Sequence, residues 1–169
     1  MQNDPLDVRC SACGHVAQFF EPFRFTCVIR HQEIPENAHS WGRVVVEELF
    51  PDHFSWTQPD SPKPNFLQSD EPGVGYRLNH EGMVWCKGCK RFEPATINWP
   101  EDAYWQWTVR GHHLVARNRA HAELILDFLQ EKQRAPNRKP ALRGIPTPLL
   151  TRRLQPEISA KLESALAAV

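Results

Sequence analysis

The residues in this chain best suited to chemistry are cysteines. Cys10-Ser11-Ala12-Cys13-Gly14 and Cys86-Lys87-Gly88-Cys89-Lys90 each hold two thiols three positions apart. In a tight turn that spacing brings both sulfurs to one side and lets backbone N–H groups face them, while glycine, here Gly14 and Gly88, relieves the turn. Two such knuckles supply the four ligands of one tetrahedral ion, so Cys10, Cys13, Cys86 and Cys89 are the expected metal ligands. A closed shell of four thiolates leaves no position for water, so it holds structure and activates no nucleophile. The other use of paired cysteines, redox exchange, needs a strand and helix context that neither pair shows. Cys27 reads as a buried apolar thiol. His15 and His80 lie near the knuckles and could each replace a cysteine as ligand.

On these knuckles and their flanking strands the chain resembles the broad zinc-ribbon class, in which two knuckles on neighbouring hairpins clamp a structural zinc. The resemblance implies one zinc per chain and names a class of module without a specific family. The chain departs from that pattern in one respect: 72 residues separate Cys13 from Cys86, against a familiar spacing of about 15 to 20. Two doublings of loop length cost about 0.6 kcal/mol each, whereas structural zinc binding supplies about 10 to 16 kcal/mol. The long separation is tolerable. Arg9, Lys87, Lys90 and Arg91 stand beside the knuckles, where they would offset the excess charge of four thiolates or touch phosphate.

The elements that must position these groups follow from pattern. Val16 to Phe20 and Phe23 to Ile29 read as strands. Trp41 to Phe50 stays open between strand (Val44-Val45-Val46) and helix (Glu47-Glu48-Leu49). Residues 51–81 hold Pro51, Pro59, Pro62, Pro64 and Pro72 with no surviving period, and read as a long insertion whose Phe54, Trp56, Phe66 and Leu67 lie on the protein. Met83 to Trp85 and Lys90 to Ile97 are expected strands. Tyr104 to Val109 alternates, with Trp105, Trp107 and Val109 on one face, and turns at Arg110-Gly111 into Leu114 to Ala116. Asn118 is a good N-cap for a helix over Arg119 to Gln133, whose stripe is His121, Leu124, Ile125, Phe128 and Leu129. Ala135 to Pro148, with four prolines, reads as an extended arm, followed by a helix from about Pro156 with Ile158, Leu162, Ala165 and Leu166 on one side. The expected fold is α+β: a zinc-ribbon-like antiparallel core with a packed helix over residues 1–134, then a basic arm and C-terminal helix over 135–169.

Charge is segregated along this chain. Residues 1–104 carry nine Lys+Arg and fifteen Asp+Glu, and residues 105–169 carry eleven and five. Within 132–153 there are seven cations (Lys132, Arg134, Arg138, Lys139, Arg143, Arg152 and Arg153) and no carboxylate. Such a segment can track phosphates, or serve as a solvated linker, or dock onto an acidic surface. Upstream, Trp105, Trp107, Arg110, His112, His113, Arg117 and Arg119 combine aromatic faces with cations, as a base-stacking surface does. Tryptophans alternating on a strand equally form core. The candidate nucleic-acid contacts are Arg110, Arg117, Arg119, Arg138, Lys139, Arg143, Arg152 and Arg153.

Enzyme signatures are scarce. There is no phosphate-binding Gly-rich loop, no Gly-x-Ser-x-Gly and no His-Glu-x-x-His. His121-Ala122-Glu123 with a Cys-x-x-Cys is similar to the zinc nucleotide deaminases. In that family, however, His-x-Glu comes before Pro-Cys-x-x-Cys; here the order is reversed, Trp85 stands in the proline's place, and Cys10 and Cys13 would have no part. His121 is expected to pack at its helix start. Glu47-Glu48 and Glu101-Asp102 read as solvated surface.

With 169 residues, 41% hydrophobic and 24% charged, and equal totals of cations and carboxylates, the chain is of ordinary globular composition about one domain long. Fifteen prolines against eight glycines imply much rigid connection around a modest core. Met1 to Phe20 lacks the apolar stretch of a signal peptide, and Val44 to Val46 falls far short of the roughly 20 apolar residues of a membrane span. A cytosolic setting with reduced cysteines is expected. The sequence points to a non-enzymatic zinc-binding accessory or regulatory protein that binds nucleic acid through its basic C-terminal region. The alternative is a protein-interaction adaptor whose aromatic surface and basic arm dock an acidic partner or a second copy. Composition leaves DNA against RNA and the oligomeric state open.

Overall fold

The computed structural model describes residues 4–27, 35–42, 44–58, 79–131 and 140–168. Its backbone is mixed α and β, with antiparallel sheets and two α-helices. The first hairpin pairs β1 (Leu6–Arg9) with β2 (Val16–Phe20) and turns through the first cysteine pair. A small three-stranded antiparallel sheet follows, formed by β3 (Phe23–Cys27), β4 (Ala38–Trp41) and β5 (Val44–Glu48) in the order β3-β5-β4, with β5 in the centre. The second hairpin, β6 (Glu81–Cys86) and β7 (Arg91–Thr96), turns through the second cysteine pair. It joins the first in a four-stranded sheet ordered β1-β2-β6-β7.

Alternation explains the main sheet. Ala17 and Phe19 point inward from β2 and are buried with Leu6, Val8, Cys86 and Ile97. Pro94 lies in β7, the edge strand, where its missing N–H breaks no internal ladder. The open choice at Trp41 to Phe50 resolves as strand. Val44, Val45 and Val46 are all buried, and pairing of β5 with a strand on each side outweighs the helix preference of Glu47-Glu48-Leu49. Part of the expected 51–81 insertion lies on this three-stranded sheet. Trp56 packs on Trp41 with ring centres 6.0 Å apart, and its backbone N–H donates to Glu48 Oε1 at 2.7 Å. That N–H, together with His39, holds the Glu48 carboxyl below the ordinary carboxylate range against burial. Residues 59–78, with Phe66 and Leu67, lie outside the described residues, as does the side chain of Cys27.

The rest of the chain builds a second core. β8 (Gln106–Val109) and β9 (His112–Val115) form a hairpin in which Arg110 and Gly111 both take positive φ, +48° and +80°, the two-residue turn that matches strand twist. Helix α1 (Arg119–Gln130) starts as expected at Asn118, whose side chain accepts the His121 N–H at 3.0 Å. Helix α2 (Gln155–Ala167) buries Ile158, Leu162 and Leu166. Between the helices the expected extended arm is corrected: Pro140–Leu142 and Thr147–Leu150 are 3-10 turns. Leu142, Ile145 and Leu149 are buried in one cluster with Trp105, Ile125 and Ile158. The prolines shape short turns that aim these three side chains inward; the segment does not project there. The boundary at 134/135 falls within residues 132–139, outside the described ones.

Asp7 joins the two cores. Its carboxylate, 6% exposed, accepts Trp105 Nε1–H at 2.7 Å and the Arg119 backbone N–H at 2.9 Å through one oxygen. Its backbone N–H donates to Arg117 O and its carbonyl accepts Tyr104 N–H. Among the described residues no helix is long and apolar enough to cross a membrane.

Candidate metal centre

Each hairpin places one cysteine pair at its turn, and antiparallel pairing of β2 with β6, Gln18 opposite Trp85, sets the two turns side by side at one end of the sheet. The four cysteines therefore converge from positions more than seventy residues apart. Cys10 Sγ lies 3.7 Å from Cys89 Sγ and Cys13 Sγ 3.5 Å from Cys86 Sγ, with all four sulfurs within 4.8 Å of one another. An ion held by four thiolates at about 2.3 Å has tetrahedral sulfur–sulfur edges of about 3.8 Å. Disulfide sulfurs would be about 2.05 Å apart; all four cysteines are free. The cluster can hold a metal ion. Cys10 and Cys86 are buried, Cys13 is half-buried and Cys89 is exposed, so the ion would sit at the rim of the apolar core.

The two knuckles close by different residues. In the first, Gly14 N–H donates to Cys10 O and Cys10 N–H to His15 O, both at 2.9 Å, with Gly14 at φ +74°. In the second, the residue after the second cysteine is Lys90, at φ +57°. The expectation that Gly88 relieves this turn is corrected: the left-handed position is Lys90, and Gly88 is small because a Cβ there would lie 3.3 Å from the His15 ring. That contact packs one knuckle on the other. Neither His15 nor His80 joins the ligand cluster.

Burial would raise the Cys10 thiol, but the Cys13 and Ala12 N–H groups and the neighbouring thiols bring it down to about 6. The His15 N–H favours a thiolate at Cys13, yet burial and the three other sulfurs push that thiol up to about 12. Without an ion the cluster thus shares negative charge unevenly over sulfurs too close to ionise together. A divalent cation removes that conflict.

Of the expected nucleic-acid contacts, Arg119 is half-buried, with Nε donating to Glu123 Oε1 at 2.9 Å and Nη2 to Leu166 O at 3.0 Å at the C-terminal end of α2. Arg110 Nε donates to Glu157 Oε2 at 3.3 Å on the surface. Arg117, Arg143, Arg152 and Arg153 are exposed, and Arg138 and Lys139 lie outside the described residues. Trp105 is core at 2% exposure, and Trp107 packs against it half-buried. His121 packs at its helix start as expected, its Nδ1 accepting the Arg117 N–H and its Nε2 donating to Ala141 O.

Sequence reasoning missed two features. Asp7 has no signature, because its partners lie about a hundred residues away. Among the described residues, Trp85 and Phe92, one residue before Cys86 and three after Cys89, are the large apolar side chains left exposed, at 40% and 53%. A hairpin turning through the Cys86–Cys89 knuckle puts them opposite each other, and that register was available from the spacing. No protein-family model, curated protein or solved structure matches this chain.

Proposed function

We propose that this protein is a zinc-binding accessory or regulatory protein, built on a zinc-ribbon-like pair of hairpins, that binds nucleic acid through its basic C-terminal region. The convergence of four free thiols with near-tetrahedral spacing carries the metal part. A four-sulfur shell suits zinc or iron, and the two-knuckle pattern on neighbouring hairpins, similar to the zinc-ribbon class, favours zinc. Its work is then structural: Cys10, Cys13, Cys86 and Cys89 would clamp the two hairpins, and the protein would act in a reducing compartment, the cytosol. The closed donor set leaves the metal no open position at which to activate water or a substrate, which supports a structural part for the ion.

Charge segregation supports the nucleic-acid part. Arg117, Arg143, Arg152 and Arg153 are exposed cations on the C-terminal core, with Arg138 and Lys139 in the connecting chain. Elemental analysis of purified protein should give about one zinc and no iron per chain, and Cys86→Ser should lose the metal and much of its solubility. A folded wild type without metal refutes the metal reading. If most of the seven cations of 132–153 meet duplex phosphates, log affinity falls against log salt with a slope of about −4 to −6. A flat response, or protein that purifies free of nucleic acid as an oligomer, refutes the nucleic-acid reading and favours docking to a protein.

A further inference from the structure

The outer face of the main sheet carries a row across all four strands: Asp7 opposite Gln18, Gln18 opposite Trp85, Trp85 opposite Phe92. At the Asp7 end the row is covered by Trp105 and the start of α1. At the other end Trp85 and Phe92 are exposed, and the ring of Phe50 stands edge-on to Phe92 with centres 6.1 Å apart. Two large aromatic rings in adjacent strands, left in water, lose the stabilisation that burial gives such side chains, and nothing in the metal site needs them exposed. Lys87, Lys90 and Arg91 are exposed on the same knuckle. The one carboxylate between Cys86 and Thr96, Glu93, is held by Arg91 at 3.0 Å.

From this arrangement we infer that the β6–β7 hairpin is a stacking platform for unpaired bases of a single-stranded nucleic acid, with Trp85 and Phe92 each taking one base and Lys87 and Lys90 the flanking phosphates. The inference rests on the nucleic-acid reading and gives it a strand class and a second surface. Adjacent strands lie about 4.8 Å apart, so rings on neighbouring strands present successive bases at a spacing a splayed single strand can match. Bases paired in a duplex hide their faces and cannot use such a platform, whereas every unpaired base offers one. The cations at the knuckle supply charge complementarity with the backbone, which an apolar protein partner would not need.

The test uses the full chain with its metal and two fluorescein-labelled probes of about 15 nucleotides, oligothymidylate and a mixed-sequence duplex, read by anisotropy across a salt series. Trp85→Ala should weaken oligothymidylate binding about 5- to 150-fold, leave duplex binding unchanged and leave the salt slope unchanged, since it removes no phosphate contact. Phe92→Ala should act in the same direction, and Trp85→Phe should restore binding to within about threefold. Metal content and sedimentation are measured on each variant to confirm the fold. Single-strand affinity indifferent to both residues, or an equal loss on the duplex, overturns the platform. If wild type binds the duplex with a steep salt slope while Trp85 has no effect, the platform fails and the basic-region reading stands; if wild type binds neither probe, both fail. A dimer that dissociates on Trp85→Ala assigns the patch to a second copy and overturns the platform as well.

Discussion

Asp7→Ala should be among the most costly single changes in the molecule, although neither of its carboxylate's hydrogen bonds goes to a metal ligand or to a charged side-chain group. One carboxylate oxygen accepts two hydrogen bonds, at 2.7 and 2.9 Å, from Trp105 Nε1 and the first backbone N–H of α1. Hydrogen bonds to a charged acceptor contribute about 1.5–3 kcal/mol each. The two donors differ in how well water can replace the lost acceptor. The Trp105 indole N–H is buried, with its residue 2% exposed, and leaving it unpaired costs about 1–3 kcal/mol. The Arg119 N–H belongs to a half-buried residue in the first helical turn, where water can substitute, so it and the lost favourable charge at the helix N-terminus add about 1–2 kcal/mol. The total is about 2–5 kcal/mol, a large loss against the 5–15 kcal/mol typical of a domain. Asp7→Asn keeps an acceptor oxygen but no charge, and should cost about 1–2 kcal/mol.

Urea unfolding followed by tryptophan fluorescence measures both variants, and a double-mutant cycle with Trp105→Phe isolates the shared bond. Its coupling should be about 1.5–3 kcal/mol. An Asp7→Ala cost below about 1 kcal/mol, or a coupling near zero, would show that the Asp7 carboxylate does not join the two cores and that packing and the backbone bonds along β1 do.

Three further outcomes rest on particular residues. Lys90 sits at φ +57° where its counterpart Gly14 sits at +74°, so Lys90→Gly should stabilise the metal-loaded protein by about 0.5–1 kcal/mol in chemical denaturation, and a loss of stability would mean the Lys90 side chain matters more than its backbone. Gly82→Ala would bring a Cβ within 2.8 Å of the Phe19 ring and against the Phe20 carbonyl oxygen, in a core with no room to give; it should cost about 2–3 kcal/mol or prevent folding, and a neutral result would contradict the close approach of β2 and β6. Burial raises the Glu21 carboxyl from 4.5 to about 7, partly opposed by the Asn79 N–H and Arg117. The folded state then holds this proton more tightly than the unfolded chain, so the contribution of Glu21 to stability is greatest at acid pH and falls as pH rises from about 4.5 to 7, by about 3 kcal/mol. Urea midpoints of Glu21→Gln and wild type should agree below about pH 4.5, separate in favour of the variant as pH rises from about 4.5 to 7, and keep that separation above pH 7; curves with no change of separation across that window would refute the burial argument.

What the sequence made legible was local. The cysteine spacing, the Asn118 cap, the Arg110-Gly111 turn and the buried stripe of α1 each depend on residues within a few positions of one another, and the fold reproduces them. What it hid depends on partners far along the chain. Arg119 has the composition of a phosphate contact, yet its guanidinium reaches Leu166 O, 47 residues on, and a sequence pattern carries no trace of that distance. Val44 to Glu48 could not be assigned alone, because its strand state comes from β3 and β4 on either side. Prolines in 140–148 hid Leu142, Ile145 and Leu149, since counting turn-formers says nothing of where the intervening apolar side chains point. Asp7 sat between Leu6 and Val8 as one polar residue in an apolar strand, and only the second core shows why a charge belongs there.

These hidden contacts bear on how a metal at one end could matter to cations at the other. β1 is the element common to both. Its C-terminal end leads directly into Cys10, and its ladder partner on one side is β2. On its other side it is bonded along its length to the C-terminal core: Arg9 N–H to Asp102 O, a bridge between Val8 and Ala103, Asp7 N–H to Arg117 O, and Asn118 Nδ2 to Pro5 O. β1 is therefore an edge of the four-stranded sheet without being a free edge, and its four residues are fixed between two bodies. An ion that immobilises Cys10 fixes one end of this strand, while Asp7, three residues away, fixes the start of α1. Arg117, exposed at the surface, donates no side chain to this joint, but its carbonyl takes the Asp7 N–H. The backbone of Arg117 is thus bonded to β1, the strand that leads into Cys10, so a metal held by the four cysteines would be joined to Arg117 by one continuous run of backbone hydrogen bonds.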